Sequence, residues 1–226
     1  MVATTIRPVA RTRVKICGVT RPEDAAAACR HGADAIGIIL HPASARNVPP
    51  DRAREIIAAL TPFVTPVGVF VDASVQQILD TAATLGLRAV QLNGEQSPDD
   101  VAELQGLSVI KAVRVVRGEV SSRIDPWKSA RLKNLIGVVL EPGGTAHPGG
   151  TGVENDWNEV VEARRAGVFE GLRIIAAGGL TPETVADVVR RVAPYGVDVS
   201  SGVESSKGIK SEEKMRGFIR AATSAQ

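Results

Sequence analysis

Short runs of β-branched and aliphatic residues alternate along this chain with longer segments of helical periodicity. The first run is Val14-Lys15-Ile16-Cys17, in which Val14 and Ile16 alternate with Lys15 and Cys17 before Gly18 ends it. That two-residue period is the mark of a strand. Further runs predict strands over Ala35–Leu40, Val67–Val71, Ala89–Leu92, Val109–Val113, Ile136–Leu140, Arg173–Ala176 and Val197–Ser200. Several are apolar throughout, as strands covered on both faces are.

The intervening segments predict helices that begin near Pro22, Pro50, Ser74, Pro98, Asp125, Asn155, Pro182 and Ser211. Proline suits the first helical turn because its φ is already fixed and its missing N–H is not needed there. Thr20 with Glu23 has the spacing of a capping box, and Thr181 precedes Pro182 as a cap. Gly32, Gly86, Gly106 and Gly167 stand where helices stop. Eight strand–helix units in sequence, without a low-complexity linker, predict one α/β domain, a (β/α)₈ TIM barrel over residues 14–226. A doubly wound open sheet is the alternative, but no G-x-G-x-x-G follows the first strand. Residues 1–13 carry three arginines and read as a flexible basic extension.

Composition narrows the function. A hydrophobic share of 44% is ample for a core, and a formal charge of +2 with scattered basic residues argues against nucleic acid. No apolar run approaches a membrane span and no secretory h-region opens the chain, so a cytoplasmic protein is expected. Cys17 and Cys29 are the only cysteines, and no cysteine–histidine cluster has zinc spacing, so no metal is expected.

In a barrel the chemistry lies at the carboxyl ends of the strands. Here those ends are Cys17, the loop from His41 to Arg46, Asp72, Asn93, Arg114, Glu141, Ala177-Gly178-Gly179 and Ser200-Ser201-Gly202. Glycine-rich loops after strands seven and eight form the usual phosphate site of this fold, through exposed amides. Gly178, Gly179, Ser200, Ser201 and Gly202 therefore predict a small phosphorylated molecule as ligand. The long glycine-rich loop from Glu141 to Asp156 adds Gly149-Gly150-Thr151-Gly152 as an anion nest, with Gly150 the candidate phosphate contact. Lys15 shares a strand face with Cys17, where a lysine needs a partner, and Asp198 on the strand that closes the barrel is the candidate. Cys29, Trp127 and Trp157 read as core, and His31 as a helix C-terminal residue favoured by the dipole. His41 and His147 lie in loops that border the expected site.

Lys15-Ile16-Cys17-Gly18, Ser44-Ala45-Arg46-Asn47-Val48, Gln91-Leu92-Asn93-Gly94, Gly149-Gly150-Thr151-Gly152, Ala177-Gly178-Gly179-Leu180 and Val197-Asp198-Val199-Ser200-Ser201-Gly202-Val203-Glu204 carry a resemblance. Together the motifs resemble the phosphoribosylanthranilate isomerase family, in register from about Arg13 to Ala222. The resemblance implies an Amadori rearrangement in tryptophan biosynthesis that needs neither metal nor redox cofactor. It implies Cys17 as the base, working as thiolate, and Arg46 as the contact for the substrate carboxylate. It implies a polar, orienting role for Asp198.

Two positions depart from the family pattern. The family's general acid is an aspartate in an L-L-D run, where this chain has Val139-Leu140-Glu141. Its Q-L-H-G appears as Gln91-Leu92-Asn93-Gly94, so a substrate-binding histidine becomes Asn93, which does not titrate near neutrality. Glu141 is the acid by position, with its carboxyl one methylene further out. Two alternatives follow from these departures: a barrel acting on another phosphorylated aminosugar, or one that binds a phosphometabolite without turning it over. The pattern leaves monomer and homodimer both open.

Overall fold

The structure, a computed structural model, describes residues 11–142 and 157–225. Eight parallel strands close into a barrel in the order in which they occur in the sequence. They are β1 (Arg13–Cys17), β2 (Ala35–Ile39), β3 (Thr65–Val71), β4 (Ala89–Asn93), β5 (Ser108–Val115), β6 (Leu135–Pro142), β7 (Ile174–Ala176) and β8 (Gly196–Val199). Closure comes where β1 pairs with β8, Lys15 lying beside Asp198. Helices follow the strands: α1 (Pro22–His31), α2 (Pro50–Ala58), α3 (Val75–Leu85), α4 (Pro98–Glu103), α5 (Val120–Ser129), α6 (Trp157–Arg165), α7 (Val185–Val192) and α8 (Glu212–Ser224). A hairpin of β9 (Glu204–Ser206) and β10 (Ile209–Lys210), unforeseen in the sequence pattern, sits between β8 and α8.

Two apolar layers result from the strand pleat. Alternate residues point inward, where Val67, Ala89, Ile110, Val139, Ile175 and Ala177 fill the barrel. Their neighbours point outward beneath the helices, as Ile16, Ile38, Leu92, Val138 and Leu140 do, all fully buried. Trp127 and Trp157 belong to this outer layer, as their helical placement predicts, and Cys29 packs against it. The filled interior closes the barrel below, so a ligand can enter only from the carboxyl ends of the strands.

Three local expectations need correction. The fifth helix begins at Val120, not near Asp125, and carries Pro126 inside it. Val120, Ile124 and Trp127 form its buried face, at helical spacing that runs through the proline. Thr20 does not cap α1; the cap position is Arg21, without a side-chain bond, and the Thr20 hydroxyl donates to the Gly208 carbonyl at 2.6 Å. Thr181 does not cap α7, whose cap position is Thr184; Thr181 Oγ1 instead accepts from the Glu183 amide in the turn before the helix. Gly32 and Gly86 do end α1 and α3 in the left-handed conformation. Arg13 opens β1, and both it and Arg11 pair with Asp34.

Candidate active site

Three strands meet around Cys17. It ends β1, with Gly37 of β2 as its register partner and β8 on the other side. Two residues earlier on the same inward face, Lys15 Nζ donates to Asp198 Oδ2 at 2.8 Å, both side chains buried. Burial pushes the Cys17 thiol pKa up; Lys15 pulls it back, Asp198 adds to the rise and Lys210 opposes it, with a net upward result. Lys15 thus favours the thiolate, but burial outweighs it. For Lys15 itself, burial works against the charge, yet Asp198 and Cys17 hold its pKa above the ordinary value. Space for the thiol depends on Gly37: a Cβ there would lie 2.7 Å from Cys17 Sγ and 3.1 Å from Lys15 Nζ.

A second cluster occupies the β4–β6 side. Asn93 Nδ2 donates to Glu141 Oε1 at 2.9 Å, and Gln91 Nε2 donates to Asn93 Oδ1 at 3.0 Å. All three side chains are buried. Burial pushes the Glu141 carboxyl pKa up; the Asn93 hydrogen bond pulls it down, Asp198 raises it, and Lys15 and Arg114 lower it, leaving it raised. A cavity of about 150 Å³ adjoins Glu141 and is lined by Lys111, Arg114 and Trp127 among others. Lys111 Nζ donates to the Gly94 carbonyl at 2.5 Å and sits 5.5 Å from the Trp127 ring centroid. Burial brings its pKa down to about 8.

The third cluster joins loops far apart in sequence. Arg46 Nε and Nη2 grip the Glu204 carboxylate at 2.7 and 2.8 Å, a bidentate pair with little exposure. Lys210 Nζ reaches the same carboxylate and the Ser200 carbonyl, each at 3.0 Å. Burial opposes a charge on Glu204, but Arg46 and Lys210 hold its pKa below the ordinary carboxylate value. The Lys207–Lys210 segment therefore ends in a buried ion pair.

The loops after β7 and β8 lie against each other. Gly178 and Gly179 are both left-handed, at φ 93° and 65°, a succession open to glycine. A Cβ at Gly202 would collide with the Leu180 carbonyl oxygen, so the two loops touch backbone to backbone. Ser201 opens a short 3₁₀ turn over Ser201–Val203, and the Ser200 hydroxyl is buried without a hydrogen-bond partner. Gly150 and His147 lie outside the described residues.

Cys17 with Asp198, Asn93 with Glu141, and Arg46 are thus at the strand carboxyl ends, as the sequence placed them. Gln91, Lys111 and Glu204 were not singled out. Gln91 was within reach of the two-residue period, since it must share the inward face of Asn93. His31 closes α1 and meets Glu212 at 3.0 Å. Among the described residues no group of three His, Cys, Asp or Glu side chains is placed to hold a metal ion, and no helix is long and apolar enough to cross a membrane.

Comparison with known proteins covers nearly the whole chain. Residues 14–221 match the family model described as N-(5′-phosphoribosyl)anthranilate isomerase. A relative of that name from Nitrosococcus oceani is 44% identical over 218 residues, spanning 95% of this chain and 98% of its own. The crystal structure of phosphoribosyl anthranilate isomerase from Thermotoga maritima superposes with a TM-score of 0.83 at 35% identity, over 93% of this chain and 98% of that one. A phosphoribosyl anthranilate isomerase in complex with reduced 1-(o-carboxyphenylamino)-1-deoxyribulose 5-phosphate superposes at 0.80 and 35% identity, with the same coverage.

Proposed function

The chain belongs to the N-(5′-phosphoribosyl)anthranilate isomerase family, and we propose that Cys17 and Glu141 are the base and acid of its reaction. That reaction is the isomerisation of phosphoribosylanthranilate, an Amadori rearrangement in tryptophan biosynthesis. Glu141, protonated, gives its proton to the furanose ring oxygen; the C1–O bond breaks and the anthranilate nitrogen lone pair forms the C=N bond of a Schiff base. Cys17, as thiolate, then removes the proton from C2, and the electron pair flows to nitrogen to give an enolamine. Tautomerisation to the ketone completes an intramolecular redox change, C1 reduced and C2 oxidised, with no external cofactor.

The observation that carries this reading is the placement of a buried thiol and a buried carboxyl at the carboxyl ends of β1 and β6. Burial raises the Glu141 carboxyl pKa, the direction a proton donor needs. Cys17 has the buried cations Lys15 and Lys210 to oppose the same burial penalty on its thiolate. Asp198 orients Lys15 and Arg46 meets the substrate carboxylate, its Nη1 being left over from the grip on Glu204. The loops at Gly178, Gly179 and Ser200–Gly202 take the phosphate, together with Gly150. The enzyme works in the cytoplasm, as a monomer or homodimer.

The test is turnover of phosphoribosylanthranilate, followed by the change in anthranilate fluorescence, in wild type, Cys17→Ser and Glu141→Gln. Loss of on the order of 10³-fold or more in both variants is expected of a base and an acid. A Glu141→Gln variant with wild-type kcat would remove Glu141 from the acid role.

A further inference from the structure

The two positions that depart from the family pattern are in direct contact. Asn93 ends β4 and Glu141 lies near the end of β6, with β5 between them, yet their side chains meet at 2.9 Å. On β5 between them stand Ala112, a small residue packed on the barrel filling, and Arg114, the register partner of Glu141. The reach divides unevenly between the partners: Asn93 supplies a short amide, and Glu141 the longer arm. Shortening Glu141 by one methylene would open the contact beyond hydrogen-bond range. An imidazole at position 93, whose far nitrogen extends past the amide position, would make up that length.

The direction of the contact is also set. Protonated or ionised, Glu141 keeps a carboxyl oxygen that only accepts, and Asn93 turns its Nδ2 toward that oxygen and leaves Oδ1 for another donor. Gln91, two residues earlier on the same face and almost wholly buried, donates to that Oδ1 at 3.0 Å. Its own Oε1 is buried without a partner, so Gln91 keeps this orientation although it leaves an acceptor unpaired.

We propose that Asn93 and Glu141 are a length-matched pair, in which Gln91 and Asn93 are positioning residues that aim the acid and set its proton affinity. The inference rests on the reading of Glu141 as the acid. It adds that the residue at 93 acts through Glu141 rather than on the substrate alone, and that neither position can be exchanged by itself. The charged groups that also bear on Glu141 are Lys111 and Arg114 of β5, Lys15 of β1 and Asp198 of β8. Lys15 is bound to Asp198, and Lys111 to the Leu92 and Gly94 carbonyls, so the exchange leaves their charges in place.

The experiment is a reciprocal swap: wild type, Glu141→Asp, Asn93→His and the double variant, each assayed for kcat/KM with phosphoribosylanthranilate across pH. Each single exchange is expected to cost on the order of 10²-fold, the effect of displacing a catalytic group by about 1 Å. The double variant is expected to recover at least about tenfold over the weaker single, non-additivity being the signature of residues in contact. Losses that simply multiply in the double variant overturn the proposal. Gln91→Glu provides a second readout with nearly unchanged shape. Its carboxylate accepts from Asn93 Nδ2 and turns Asn93 Oδ1 onto Glu141, so the limb of the pH–rate profile governed by Glu141 moves up by about one unit. Should a swap variant fail to fold, an unmoved limb in Gln91→Glu overturns the proposal alone. Wild type without turnover would instead sink the assignment of the reaction, which keeps the two failures distinct.

Discussion

Lys15 Nζ and Asp198 Oδ2 lie 2.8 Å apart at the seam where β1 closes on β8, with almost no exposure on either side chain. The pair joins the ends of the barrel and stands directly below the Cys17 thiol on the same strand face. Structure and chemistry are coupled at this point, so a change in one partner is felt in both.

Lys15→Met tests that coupling. It leaves Asp198 buried and unpaired, a loss on the order of 3–5 kcal/mol in urea unfolding near neutral pH. It also removes the strongest pull on the thiolate, so the pH at which Cys17 reacts with a thiol reagent rises. Unchanged reactivity across pH would show that Lys15 serves the barrel alone.

Gly37→Ala places a Cβ 2.7 Å from Cys17 Sγ. Either the thiol shifts or β2 moves away, with an expected stability cost of about 1–3 kcal/mol. Activity falls on the order of 10²-fold while the fold persists. Circular dichroism with steady-state turnover separates these two effects.

Acid stability should depend on Glu204. Its folded pKa lies below the ordinary 4.5, so the unfolded chain binds the proton more readily. Its contribution is complete above that ordinary value and is lost as pH falls toward the folded one. The slope from one such proton is at most about 1.36 kcal/mol per pH unit. Urea midpoints measured from pH 6 to pH 3 should fall less steeply in Glu204→Gln.

The phosphate reading is tested at Gly202. An alanine there drives the loop after β8 off the Leu180 carbonyl and separates it from Gly178–Gly179. The KM for phosphoribosylanthranilate and the inhibition constant for inorganic phosphate should both rise about tenfold or more, the value of one charge-assisted hydrogen bond. A kcat effect with neither constant changed would place the phosphate elsewhere.

The barrel was legible because buried strands advertise themselves: each of the eight runs read from the chain overlaps an observed strand. Strand ends then located Cys17, Asn93 and Glu141 without knowledge of any contact, and Asp198 followed as the partner Lys15 needs. The start of α5 was missed because Pro126 reads as a helix opener, although Val120, Ile124 and Trp127 already held the periodic face. Thr20 had the spacing of a cap, but its hydroxyl found a carbonyl on the β9–β10 hairpin instead. The Arg46–Glu204 grip joins residues 158 positions apart, and no local period encodes such a pairing. Upward pressure on the Cys17 thiol was likewise invisible, since burial of a given residue depends on the whole closed barrel.

Glu204 holds Arg46 with both carboxylate oxygens and Lys210 with one of them, and Lys210 in turn holds the carbonyl of Ser200. The loop proposed to meet one end of the substrate is thereby pinned to the loop proposed to meet the other. The molecule is a caliper whose jaws are set before anything is measured. On the proposed site, selectivity falls on the span between carboxylate and phosphate, and analogues of altered length should lose binding even with both charges intact.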